Sequence, residues 1–194
     1  MPPRPDLQSA LGFLCMLLGT AGLAFCLVAY ADAWMGSRQA VAEVADGSAW
    51  AAAAPAAEPE RGAPLGLLRI ARLSLEVPVL YGTDPLTLNR GAGIVAGSDL
   101  PGARGHVVIS AHRDSYFRPL KDIRAGDVIE LHSAVQVQRF SVARTFITDA
   151  LDVSVLEEPE GSVLTLITCY PFHYVGFAPD RFIVKAVLEP RTAG

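Results

Sequence analysis

Apolar residues are distributed unevenly along the chain. Residues 7–31 carry no charge, and from Ala10 onward the run is almost wholly apolar. As a helix it reaches about 37 Å, enough to cross a hydrocarbon core of about 30 Å. Signal-peptide cores are about 7–15 residues long, so this length predicts an uncleaved signal anchor. Ala31-Asp32-Ala33 fits a small-x-small cleavage site and keeps a cleaved signal open as the alternative. Arg4 precedes the span, opposed by Asp6, and Arg38 follows it. That slight bias favours a cytoplasmic N-terminus and an extracytoplasmic main domain. Gly12, Gly19 and Gly22 form no GxxxG spacing, so helix pairing gains no support.

The pattern changes twice more. Between residues 40 and 64, 11 of 25 positions are alanine, with Pro55, Pro59 and Pro64 among them. Alanine favours helix over 36–54, and the stretch after it, poor in large apolar residues, reads as an exposed spacer. From residue 65 short β-rich runs follow, separated by Gly, Pro and Asp. Strands are expected at 67–73, 77–80, 94–96, 107–111, 128–132, 135–147, 163–168 and 182–188. Alternation along 135–147 is not clean, because glutamines and apolar residues trade parity. A helical turn is expected at 83–90, with Thr83 or Asp84 capping it and Pro85 in its first turn. Eight short strands without long intervening helices indicate an all-β barrel or sandwich. Three parts result: a cytoplasmic tip and transmembrane anchor (1–33), a spacer (34–64) and a folded domain (65–194).

Composition accounts for itself once this division is made. The 51% hydrophobic share belongs to anchor, spacer and β core together. A net charge of -4 and a pI near 5.5 argue against a nucleic-acid partner. Three cysteines cannot make a disulfide framework. Cys15 and Cys26 lie inside the apolar run, about 16 Å apart along a helix, and cannot pair with each other. That leaves Cys169 as a lone thiol.

Cys169 ends the strand 163–168, just before Tyr170-Pro171, and proline cannot continue a ladder. A small buried hydrophobe there is the plain reading; a reactive thiol presented at a strand end is the chemical one. His112 ends the apolar strand 107–111 in the same way, so the two can meet across a groove. Arg181 opens the last strand, and a returning hairpin can bring it beside the thiol. Asp114 could orient His112. His106, His132 and His173 read as structural. The acids Asp149, Asp152, Glu157, Glu158 and Glu160 surround one loop, but Asp99 and distant Asp84 are the only acids to match them earlier. No His/Cys pair has zinc spacing. Neither a metal nor a cofactor is expected.

These residues carry a resemblance. Thr165-Leu-Ile-Thr168-Cys169, Arg181 twelve positions later, and Ala111-His112-Arg113 upstream resemble a sortase. So do Gly91-Ala-Gly-Ile, Gly97-Ser-Asp-Leu-Pro-Gly and the stretch from Phe117 to Asp127, and the resemblance covers residues 67–188. The run 168–182 is most similar to class D sortases, including those of Gram-negative bacteria. The resemblance implies an eight-stranded β-barrel and a cysteine transpeptidase. Cys169 would be the nucleophile, His112 the acid/base and Arg181 the third catalytic residue, with Thr168 shaping the substrate site. It further implies a secreted protein with a Leu-Pro-x-Thr-Gly-like C-terminal signal, cut after threonine and joined to an amine of a cell-wall precursor, lipid or protein. Two other readings stand beside it: a cysteine peptidase hydrolysing the same signal, and a non-catalytic anchored barrel that binds a partner. The peptidoglycan-crosslinking cysteine enzymes, with a Ser-His-Gly-Cys-type setting, find no counterpart in these residues.

Overall fold

The computed structural model describes residues 7–45, 59–157, 161–174 and 176–190. Its first element, α1, runs Leu7–Ala45. The helix continues past the uncharged run because residues 33–45 contain no proline and are rich in alanine and other helix formers. The rest of the helical stretch expected at 36–54, residues 46–54, lies outside the described residues. Side chains over 11–32 are exposed, and Leu11–Asp32 has a mean hydropathy of 2.3. Thr20 turns its hydroxyl onto the Met16 and Leu17 carbonyls, 3.0 Å from each, so the polar group in this apolar helix is satisfied locally.

The second unit is a closed barrel. Its strands are β1 (Pro64–Ile70), β2 (Leu75–Tyr81), β3 (Ala92–Ile94), β4 (His106–Ser110), β5 (Val128–Ser133), β6 (Val137–Asp149), β7 (Val163–Tyr170) and β8 (Asp180–Leu188). They close in the order β1-β2-β3-β4-β7-β8-β6-β5. Pairs β2/β3 and β4/β7 are parallel, and the remaining pairs are antiparallel. The expected eight-stranded barrel is the architecture found, with one short helix, α2 (Pro85–Arg90), bridging β2 and β3. Asp84 caps α2 by accepting from the Leu86 and Thr87 amides. The Thr87 hydroxyl, together with these amides, holds that carboxyl below its ordinary pKa.

Alternate residues of each strand fill the barrel. Leu68, Ile70, Val77, Val79, Ile109, Ile129, Leu131, Phe140, Leu164, Leu166 and Val184 form one core, with Phe117 and Leu120 closing on it. Three expected strands change at their ends for local reasons. The first stops at Ile70, where residues 71–73 form a 3-10 turn and Ser74 takes a left-handed φ of 50°. The third lies at 92–94 instead of 94–96, because β2 and β3 run close together there. A Cβ on Gly93 would stand 2.0 Å from the Gly82 carbonyl oxygen, so only glycine fits. In β6 the inward places are Gln138, Phe140 and Val142, while Val137 faces solvent. Gln138 accepts from the Gly102 amide at 2.8 Å and donates to the Ala103 carbonyl at 3.0 Å. A satisfied polar side chain in an apolar place is what blurs the alternation.

Candidate active site

Two parallel strands and one antiparallel return bring the chemistry together. In the β4/β7 pair His106 aligns with Val163 and Ser110 with Ile167. One step beyond, the Ala111 amide donates to Ile167 at 3.3 Å, and the Thr168 hydroxyl donates to the Ala111 carbonyl at 2.8 Å. The same register carried on sets His112 level with Cys169. On the other side of β7, Cys169 is directly paired with Arg181 of β8. Cys169 on β7, Arg181 on β8 and His112, two residues past the end of β4, thus fall at one end of three neighbouring strands, and all three are half-buried.

Alternation sends Leu164 and Leu166 into the core, and Cys169, of opposite parity, outward. There a groove of about 260 Å³ is lined by His112, Arg113, Asp114, Cys169, Gly176, Phe177, Ala178 and Arg181. The Arg181 Nη1 donates to the Ala178 carbonyl at 3.3 Å and to the Asp180 carbonyl at 2.9 Å. Two guanidinium groups against one carboxylate make this groove suited to developing negative charge.

Other residues singled out from the sequence fall in different places. Thr168 is buried, and its hydroxyl fastens the end of β7 to that of β4. Asp114 is exposed on the groove and makes no hydrogen bond to His112 among the described residues. His106 is buried with Nε2 2.7 Å from the Thr165 hydroxyl; it lines a separate cavity of about 130 Å³ with Asp99 and Leu156. His132 lies 3.5 Å from Glu130 on β5, and His173 is exposed. Asp152 caps the 3-10 turn Val153–Leu156, and its carboxyl is held below its ordinary pKa by Ser154 and then Thr148. Asp149 accepts from the Leu151 amide at 2.8 Å. Glu158 and Glu160 lie outside the described residues. Among the described residues no three His, Cys, Asp or Glu side chains gather as a metal site. Sequence reasoning gave no task to Arg113 or to the loop residues Gly176, Phe177 and Ala178. Their place beside the thiol depends on how the loop between β7 and β8 folds back, which carries no periodic signal.

The closed eight-stranded barrel has known counterparts. Among solved structures, the Clostridium perfringens Sortase D5 transpeptidase superposes with a TM-score of 0.62 at 24% identity, covering 69% of this chain and 83% of that one. Sortase C-1 from Streptococcus pneumoniae gives a TM-score of 0.61 at 26% identity, over 66% of this chain and 68% of that one. Sortase D of Bacillus subtilis is 37% identical over 128 residues, which are 66% of this chain and 65% of that protein. Sortase A of Listeria monocytogenes is 27% identical over 118 residues, 59% of this chain and 53% of that protein. The matches therefore span less than two thirds of either curated relative's length. A Sortase domain model matches residues 68–189. The chain belongs to the sortase family of cysteine transpeptidases, and the similarity to Sortase D supports its relation to class D.

Proposed function

We propose that this chain is a membrane-anchored sortase that cleaves a Leu-Pro-x-Thr-Gly-like signal and transfers the acyl part to an amine. Residues 1–33 serve as tip and anchor, 34–64 as spacer and 65–194 as the catalytic domain on the extracytoplasmic side. The observation that carries the reading is the row of His112 just past β4, Cys169 on β7 and Arg181 on β8, all lining one groove.

The steps follow from the groups available. The Cys169 sulfur, as thiolate, attacks the threonyl carbonyl carbon, and the carbonyl electron pair moves onto oxygen. Arg181 donates N–H groups to that oxyanion. Its Nη1 is engaged by loop carbonyls, but a guanidinium has five N–H donors, so Nε and Nη2 can turn to the substrate. The intermediate collapses, the C–N bond breaks, and His112 as imidazolium protonates the departing amine. A thioester on Cys169 remains. An incoming amine attacks it, neutral His112 takes the proton, the C–S bond breaks, and a new amide leaves. Thr168 contributes by holding the two strand ends in register through Ala111.

Incubating the full chain in detergent micelles with such a peptide and an amine tests the reading. Ligated peptide that depends on the amine is the expected product by mass spectrometry. Hydrolysed peptide alone, unaffected by amine, would make the chain a peptidase instead.

A further inference from the structure

Residues 171–179 connect β7 to β8 and supply one wall of the groove. Two arginines hold this loop by its carbonyl groups, from opposite sides. Arg181 takes the loop's Ala178 carbonyl from the β8 side, and with the same Nη1 its β8 neighbour Asp180. Arg113, on the other wall and next to His112, donates from Nη2 to Tyr174 at 2.7 Å and to Gly176 at 3.0 Å. Its guanidinium carbon also stands 5.8 Å from the centre of the Tyr174 ring. Between these carbonyls and Arg181 comes Phe177, which is fully exposed although it lines the groove beside Cys169.

The Arg113 Nη1 is buried without a hydrogen-bond partner among the described residues. An unmatched buried donor disfavours this placement. The half-buried fork nevertheless keeps this place, and what it gains there is the grip of Nη2 on the loop. A guanidinium suits that task, because one planar group reaches two carbonyls and an aromatic face together. Resting on the transpeptidase reading, we propose that Arg113 is a positioning residue of the reaction. It latches the loop between β7 and β8 to the strand end that carries His112. In doing so it holds Phe177 as an apolar wall that the bound peptide covers.

The test uses the full chain in detergent micelles and the peptide–amine assay. Freeing the loop removes the ordered wall and adds its ordering cost to peptide binding, so Arg113→Ala should lower kcat/KM by about 10–100-fold. The loss should fall mainly on KM, since the wall binds peptide and the reacting groups stay in place. Arg113→Lys, which keeps a cation and rotatable donors, should recover part of it, and thermal midpoints should change little. Because Arg113 acts through Phe177, adding Arg113→Ala to Phe177→Ala should cost almost nothing more. Chymotrypsin should also cut after Phe177 about 10-fold faster in Arg113→Ala, by local opening of the loop. An active wild type whose Arg113→Ala keeps its KM, or loses activity additively with Phe177→Ala, overturns the positioning role alone. A wild type that forms no thioester overturns the transpeptidase reading and this role with it.

Discussion

At the scale of single residues, the proposed reaction divides its labour among groups that cannot replace one another. Among the described residues that line the groove, only Cys169 has a thiol, and the proposed reaction uses it as the nucleophile. In that reaction His112 moves the proton, and general acid–base help of this kind is worth about 10²–10⁴-fold, which is the loss the proposal expects in kcat/KM for His112→Ala. The proposal sets Arg181 against the developing charge, and one oxyanion donor is worth about 10²–10³-fold, the loss it expects for Arg181→Ala. Peptide kinetics on the purified variants measure both, and losses below about 10-fold would remove these roles. The residue scale also shows why part of the site could not be read in advance. Cys169 and His112 stand out because each lies where an apolar strand gives out, one residue before the end of β7 and two past the end of β4, and such breaks in a hydrophobic run are visible. Arg113 carries no such mark, since a loop side chain's direction follows from distant carbonyls at Tyr174 and Gly176.

At the scale of elements, the strands were legible because apolar runs are bounded by glycines that turn the chain. Gly82, Gly102, Gly126 and Gly161, each in a turn between runs, all have positive φ. Less legible were features that depend on a neighbour, such as the glycine approach that moves β3 and the buried Gln138 in β6. Barrel closure is of the same kind, because β1 meets β5 only in three dimensions. Another neighbour contact fastens the 3-10 turn after β1 to the start of β5. Arg72 pairs with Asp127 through two short hydrogen bonds and donates to the Asp122 carbonyl at 2.7 Å. The Arg72 hydrogen bond is the main cause that holds the Asp127 carboxyl below its ordinary pKa. The folded state therefore binds that proton more weakly than the unfolded chain. Its stabilisation is complete above the ordinary carboxylate pKa of about 3.9 and is lost as pH falls through the lower folded value. Replacing Asp127, whose side chain is 8% exposed, by alanine leaves Arg72 and the Arg124 amide without their acceptor. The expected cost is about 1–3 kcal/mol at neutral pH. Urea unfolding followed by circular dichroism should show that gap shrinking between pH 6 and pH 3, whereas an unchanged gap would deny the linkage.

At the scale of the whole molecule, the chain divides into two units, one of apolar helix and one that contains the barrel with its own core. The barrel buries its apolar side chains internally, but Leu11–Asp32 exposes its own. Its 22 residues extend about 33 Å, close to the hydrocarbon thickness. The full chain should stay in the membrane pellet after alkaline carbonate extraction. Leu17→Arg combined with Leu18→Arg should release it, since each central arginine costs about 2.5–3.5 kcal/mol on insertion scales. Equal retention of both forms would deny that this helix is the anchor. The reaction itself is tested most directly by the intact mass of the chain after brief exposure to a Leu-Pro-x-Thr-Gly-like peptide without amine. A mass increase equal to the acyl fragment ending in threonine, located on Cys169 and discharged by added amine, is the predicted result. No adduct on wild type, or the same ligated product from Cys169→Ala, would contradict it.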